Sequence, residues 1–160
     1  MDLVLDPPRG VAPLRLGMTL DEAVAAAPPE WGEADVVRRA DDDALAEWAL
    51  DRIAVHALAE EDGTTVTAIE LWWPGEGRSS TTRVLFDGDE VFTTPARDLF
   101  ARAAERGLRV DTSQPEYPVI PGLSLGFTRQ TSQKVARDAD GLPCCVTSVL
   151  VGGEDYYDYR

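Results

Sequence analysis

The chain has 160 residues, 44% hydrophobic and 28% charged, enough for one domain that buries roughly 70% of the surface its unfolded chain exposes without help from a disulfide or metal. Its 29 acidic and 15 basic residues give a net charge of −14, which argues against nucleic acid, whose affinity rests on Lys and Arg neutralising phosphates, and against anionic membranes. The imbalance sits in the first half, where residues 1–80 carry 17 acids and six bases, against 12 and nine in residues 81–160.

The chain starts with MDLVLDPPRG, which has an acid at Asp2 and a proline pair where a secretory signal would have basic and then apolar residues. No run approaches the roughly 18 apolar residues of a membrane span, so the cytoplasm is the expected compartment. "DLVL" reads as a short strand and "PLRLGMT" as a second extended piece. Thr19 and Glu22 form the T-x-x-E capping box of a helix over residues 19–27, with Leu20, Ala23, Val24 and Ala27 at helical spacing and Pro28–Pro29 as its stop. "DVVRR" is a strand, the acids Asp41, Asp42 and Asp43 a turn, and "ALAEWALDRIAVHALAE" one long extended region. In it Ile53, Val55, Ala57 and Ala59 share a face opposite Ala54, His56 and Leu58. After "EDG" the chain returns as "TTVTAIELWW", the strongest hairpin signal present.

The second half replays this order. "TRVLFDGDEVF" is a strand and turn; Thr94 and Pro95 start a helix over residues 95–106, striped by Ala96, Leu99, Phe100, Ala103 and Ala104 and ended by Gly107. "LRV", "LSLGFTR" and "CCVTSVLVG" follow as three strands. The pattern predicts an α+β fold: a single domain over residues 1–160, with two tandem repeats of helix plus antiparallel strands, at about 1–77 and 81–152. These form one sheet layer with the helices packed on one face, followed by an acidic aromatic tail at 153–160.

"LGMTLDEAV", Leu16 to Val24, resembles the helix entry of the β-lactamase inhibitory proteins and the small outer-membrane-assembly lipoproteins. The resemblance implies a repeat of helix plus antiparallel sheet, and a binding protein without catalysis that offers the free face of the sheet to a partner. The second half lacks the motif and no export signal precedes it, so neither β-lactamase inhibition nor envelope assembly is carried over.

Candidate chemistry is sparse. His56 is the sole histidine, and a nucleophile–base pair needs an orienting group and an oxyanion site beyond the residue type, so it reads as a strand residue. Cys144 and Cys145 lack the C-x-x-C spacing of zinc and redox sites and, on a strand, would leave on opposite faces. The clusters "DDD", "DGDE" and "DADG" do not complete a calcium loop and are good turn chemistry. No metal or cofactor is expected.

Trp72 and Trp73 are consecutive, so a strand sends them to opposite faces. Alternation with Ile69 and Leu71 assigns Trp73 to the core and leaves Trp72 as a surface anchor of the kind that dominates binding hot spots. The tail sets Tyr156, Tyr157 and Tyr159 among acids. The candidate binding residues are therefore Trp72, Asp41, Asp42, Asp43, Tyr156 and Tyr157. The expected function is that of a non-enzymatic acidic binding protein with a basic protein partner, in its most concrete form an immunity-type inhibitor of a toxin or effector domain. A structural or adaptor subunit, and a ligand-binding protein or enzyme with a pocket between the repeats, stay open as alternatives.

Overall fold

The computed structural model describes residues 1–40 and 42–157. The strands are β1 (Asp2–Asp6), β2 (Gly10–Val11), β3 (Leu14–Arg15), β4 (Asp35–Ala40), β5 (Asp43–Leu50), β6 (Ile53–Ala59), β7 (Ala68–Trp72), β8 (Arg83–Phe86), β9 (Asp89–Glu90), β10 (Val119–Ile120), β11 (Leu125–Thr128) and β12 (Ser148–Gly152). Two helices, α1 (Leu20–Ala26) and α2 (Ala96–Glu105), complete the set of longer elements. The strands form two sheets, a five-stranded one ordered β3-β2-β1-β8-β9 and a seven-stranded one ordered β10-β11-β12-β7-β6-β5-β4.

This corrects the expected layout. The protein is mostly β, and its helices are too few and too short to cover one face of a single sheet as the tandem α+β reading required. The physical reason lies in long-range pairing. β1 runs parallel to β8, with Leu3 opposite Val84, so strands from the start and the middle of the chain build a second, small sheet that local patterning does not reveal.

The larger sheet is antiparallel throughout. Its inner face carries Ala46, Trp48 and Leu50 of β5, Ile53, Val55 and Ala57 of β6, Ile69 and Leu71 of β7, and Val149 and Val151 of β12, all buried in one core. Against them pack Leu3, Leu5, Val11, Leu14, Val84 and Phe86 of the small sheet, Leu20 and Ala23 of α1, and Ala96, Leu99 and Ala103 of α2. Trp48 is 2% exposed and meets Trp31 edge to face at 5.4 Å, a geometry that adds about 0.5–1.5 kcal/mol to the burial of the rings. Phe100 of α2 meets Phe127 of β11 in the same way at 5.2 Å.

Local chemistry explains most of the ends. Thr19 and Glu22 form the reciprocal capping box at the start of α1. The long extended region divides into β5 and β6 at Asp51 and Arg52, both in the left-handed region (φ 47° and 72°). Two consecutive positive φ values suit a two-residue hairpin turn, and Asp51 holds it by accepting from the Thr81 N–H at 2.6 Å and the Thr81 hydroxyl at 2.7 Å. Asp-Arg is not a turn dipeptide by composition, which is why a single extended region was expected there. Asp87 and Gly88 make the corresponding positive-φ pair between β8 and β9.

Two further expectations change. Pro95, not Thr94, is the residue that precedes α2, and no side chain caps it; the Ala96 N–H instead donates to the Cys144 carbonyl at 2.7 Å. "LRV" is not a strand, and "CCVTSVLVG" becomes one only from Ser148. Cys144 and Cys145 therefore lie in the segment before β12, as half-buried free thiols.

Candidate functional site

Strand alternation gives the seven-stranded sheet a second face, turned away from the core. Across it run three cross-strand rows. The first is Leu45, Leu58, Ala68 and Gly152; the second is Asp35, Glu47, His56, Glu70, Leu150 and Gly126; the third is Ala49, Ala54, Trp72, Ser148 and Thr128. Directly opposed side chains in antiparallel strands have Cβ atoms about 4.5–5.5 Å apart, so the second row is a ladder of titratable groups ending on leucine and glycine.

The tail folds back over one part of this face. Tyr156 packs beside a small apolar cluster of Leu45, Leu58, Ala68 and Leu150, and its hydroxyl donates to Glu60, with the carboxylate oxygens at 3.0 and 3.1 Å. Tyr157 meets Tyr156 edge to face at 5.1 Å and lies on Gly126, where an added methyl would sit 2.7 Å from its Cζ. Tyr156 stands equally close to Gly152, where a methyl would sit 2.9 Å from its Cδ1. The Ser124 hydroxyl donates to the Glu154 carbonyl at 2.8 Å and secures the turn into the tail. The two glycines thus act as seats for the two rings.

Beside the tail lies a hollow of about 250 Å³, lined by Glu70, Leu150, Thr128 and Ser148 of the sheet, Tyr156 and Tyr157 of the tail, and Gln114 and Tyr117 of the segment before β10. Tyr117 is held by its hydroxyl, which donates to the Gln130 side-chain oxygen. A broader hollow of about 590 Å³ shares Gln114 and Tyr117 as a wall and carries Glu116 and Asp140.

The electrostatics of the face follow from partial burial. Glu70 Oε1 accepts from the Trp72 indole N–H at 2.9 Å, and among the described residues no Arg, Lys or His forms an ion pair with Glu70. Burial pushes its carboxyl above the ordinary range, only partly countered by that hydrogen bond; the charge of Glu60 adds to the rise and the charge of Arg39 opposes it from beyond ion-pair distance. His56, although directly opposite Glu70, points its Nε2 to Glu47 at 3.4 Å. Burial lowers the His56 pKa, against the pull of Glu47. Burial and neighbouring Glu60 raise the Tyr156 phenol strongly, so it stays a neutral donor.

The structure brings Trp72, Asp43, Tyr156 and Tyr157 to this one face, but not into one cluster. Trp72 is 37% exposed at the end of β7, opposite Ala54. Asp43 lies at the far end of β5, about 20 Å away along the strand direction, where it pairs with Arg39 at 3.2 Å. Asp42 is exposed in the turn, and Asp41 and Tyr159 lie outside the described residues. Trp73 follows the end of β7 and is only half-buried; it walls a hollow of about 260 Å³ with Phe92, Cys144 and Cys145 and does not join the buried core. Glu70, Glu60, Gln114 and Tyr117 escaped the sequence reading. The alternation of Ala68, Glu70 and Trp72 carried the signal for the first; the others reach the face through loops.

Among the described residues no three of His, Cys, Asp and Glu converge as a metal-ligand set, and no helix is long and apolar enough to cross a membrane. Comparison with protein-family models, with curated proteins and with solved structures returned no match in any of the three.

Proposed function

We propose that this chain is a non-enzymatic, cytoplasmic binding protein that presents the outer face of its seven-stranded sheet to a basic protein, in the manner of an immunity-type inhibitor of a toxin or effector domain. One observation carries the reading: Glu70 stands half-buried on that face beside the exposed Trp72, with no cation of the described residues within ion-pair distance and only the farther charge of Arg39 acting on it. Glu47 and Asp35 extend the negative surface along the cross-strand row of Glu70, Glu60 adds to it just past the end of β6, and the net charge of −14 adds a long-range attraction for a basic partner. An exposed tryptophan hydrogen-bonded to a half-buried carboxylate is suited to the centre of such an interface.

The test is capture by the immobilised wild-type chain and by two variants, Trp72→Ala and Val4→Ala, the latter on the small sheet and 53% exposed. The expected result is a basic protein bound by the wild type and Val4→Ala, lost with Trp72→Ala, and associating more slowly as salt is added. A partner bound equally by all three chains, or an acidic partner indifferent to salt, would refute the reading.

A further inference from the structure

We propose that the hollow beside Glu70 is a receptor for one arginine side chain of the partner, its guanidinium set against the Glu70 carboxylate between the aromatic walls of Tyr117, Tyr156 and Tyr157. The inference rests on the reading of this face as a protein-binding surface and names the group it takes.

Three features select the occupant. The hollow, at about 250 Å³, is smaller than the roughly 300–1,000 Å³ typical of sites for drug-sized molecules, and so suits a side-chain end better than a whole metabolite. Its acidic group is oriented: the Trp72 indole N–H fixes Glu70 Oε1 at 2.9 Å, and the fixed carboxylate matches the planar fork of a guanidinium. The walls are three tyrosine rings, two of them seated on glycines, and a planar, weakly hydrated cation stacks on aromatic faces where a compact ammonium is held by its water. The adjoining hollow with Glu116 and Asp140 extends the negative potential along the approach. Burial of the Glu70 carboxyl, with only the Trp72 hydrogen bond and the farther charge of Arg39 to offset it, is costly in the free protein, and an arriving guanidinium would relieve that cost.

The probe is Nα-acetyl-arginine methylamide, titrated into ¹⁵N-labelled full chain and followed by amide and Trp72 indole shifts. Expected is saturable millimolar binding with shifts centred on Glu70, the Trp72 indole and Tyr157. The citrulline analogue should give none, and the lysine analogue at least threefold weaker binding. Glu70→Gln should weaken the probe more than tenfold, its own spectrum reporting that the fold is kept. Tyr157→Ala, which removes a wall and keeps the carboxylate, should weaken it about threefold. Glu33→Gln, exposed and remote in the chain, should change nothing. Equal binding of the citrulline or lysine analogue, an unchanged affinity in Glu70→Gln, or shifts confined to Glu116 and Asp140 overturns the proposal. Capture of a basic protein through Trp72 with no probe response at Glu70 overturns the receptor and spares the face; a probe response at Glu70 without such capture supports the receptor and removes the wider reading.

Discussion

Replacing Gly126 by alanine separates the docking of the tail from the stability of the core. Gly126 is not among the residues with positive φ, so alanine fits the backbone and its lower unfolded-state entropy adds about 0.4–1 kcal/mol to stability. The new methyl, however, lies 2.7 Å from Tyr157 Cζ, and the ring must move. Each half-buried tyrosine removes on the order of 100 Å² from water, worth about 2.5 kcal/mol at about 25 cal/mol per Å². Ordering Gly153 to Tyr157 costs about 1 kcal/mol per residue, so the docked tail is favoured by only about 1–2 kcal/mol once its two side-chain hydrogen bonds are included. Gly126→Ala should therefore change global stability by less than about 1 kcal/mol in urea while shifting the tail toward the undocked state. The assay is native-state amide exchange. The Tyr156 N–H, bonded to the Gly153 carbonyl at 3.0 Å, should exchange about tenfold faster, while Val55 in the interior strand β6 keeps its rate. Gly153→Ala, with open space at its Cβ, should leave both rates unchanged. A global loss of 3 kcal/mol or more, or an unaltered Tyr156 rate, would refute the seating of Tyr157 on Gly126.

Trp48→Ala, which removes a ring 2% exposed and stacked edge to face on Trp31, should cost about 3–5 kcal/mol in urea unfolding, whereas Trp72→Ala should cost clearly less because that ring is 37% exposed. Thr19→Ala removes the half of the α1 capping box in which the Thr19 hydroxyl accepts from the Glu22 N–H and should cost about 1 kcal/mol, with Thr19→Ser restoring most of it. His56 has a folded-state pKa below its ordinary value of 6.5, so as pH falls through 6.5 the unfolded chain takes the proton first and stability declines until the folded pKa is passed. Glu70 acts in the opposite sense, its raised pKa making the folded chain the first to protonate on the way down to 4.5. The difference between wild type and His56→Gln isolates the histidine: the wild type should lose more stability than the variant between pH 7.5 and 5.5, and equal losses would contradict the burial of the imidazole. Tyr156, with its phenol raised above 10, should give a loss of stability above pH 10 that Tyr156→Phe lacks, because there the unfolded chain alone gives up the proton.

Short-range chemistry was legible in the residues themselves. Thr19 and Glu22 stand three apart and can only satisfy each other's backbone at a helix start, and the period-two alternation through Ile53 to Ala59 and Ile69 to Trp72 places His56 and Trp72 away from the core whatever the strands pair with. The positive-φ pair at Asp87 and Gly88 is likewise a local preference written into an Asp-Gly step. The parallel pairing of β1 with β8 was not legible, because Leu3 and Val84 are 81 positions apart and nothing in either strand's own pattern names its neighbour. For the same reason the two-sheet architecture replaced the expected tandem repeat, and the Asp51–Arg52 turn went unseen, its backbone being held by Thr81 from a distant loop. The outer face shows the division most clearly. Alternation alone aligned Glu70 with Trp72, but only the tertiary structure seated Tyr157 on Gly126 and brought Tyr117 beside them, because burial and contact between remote segments are properties of the assembled chain.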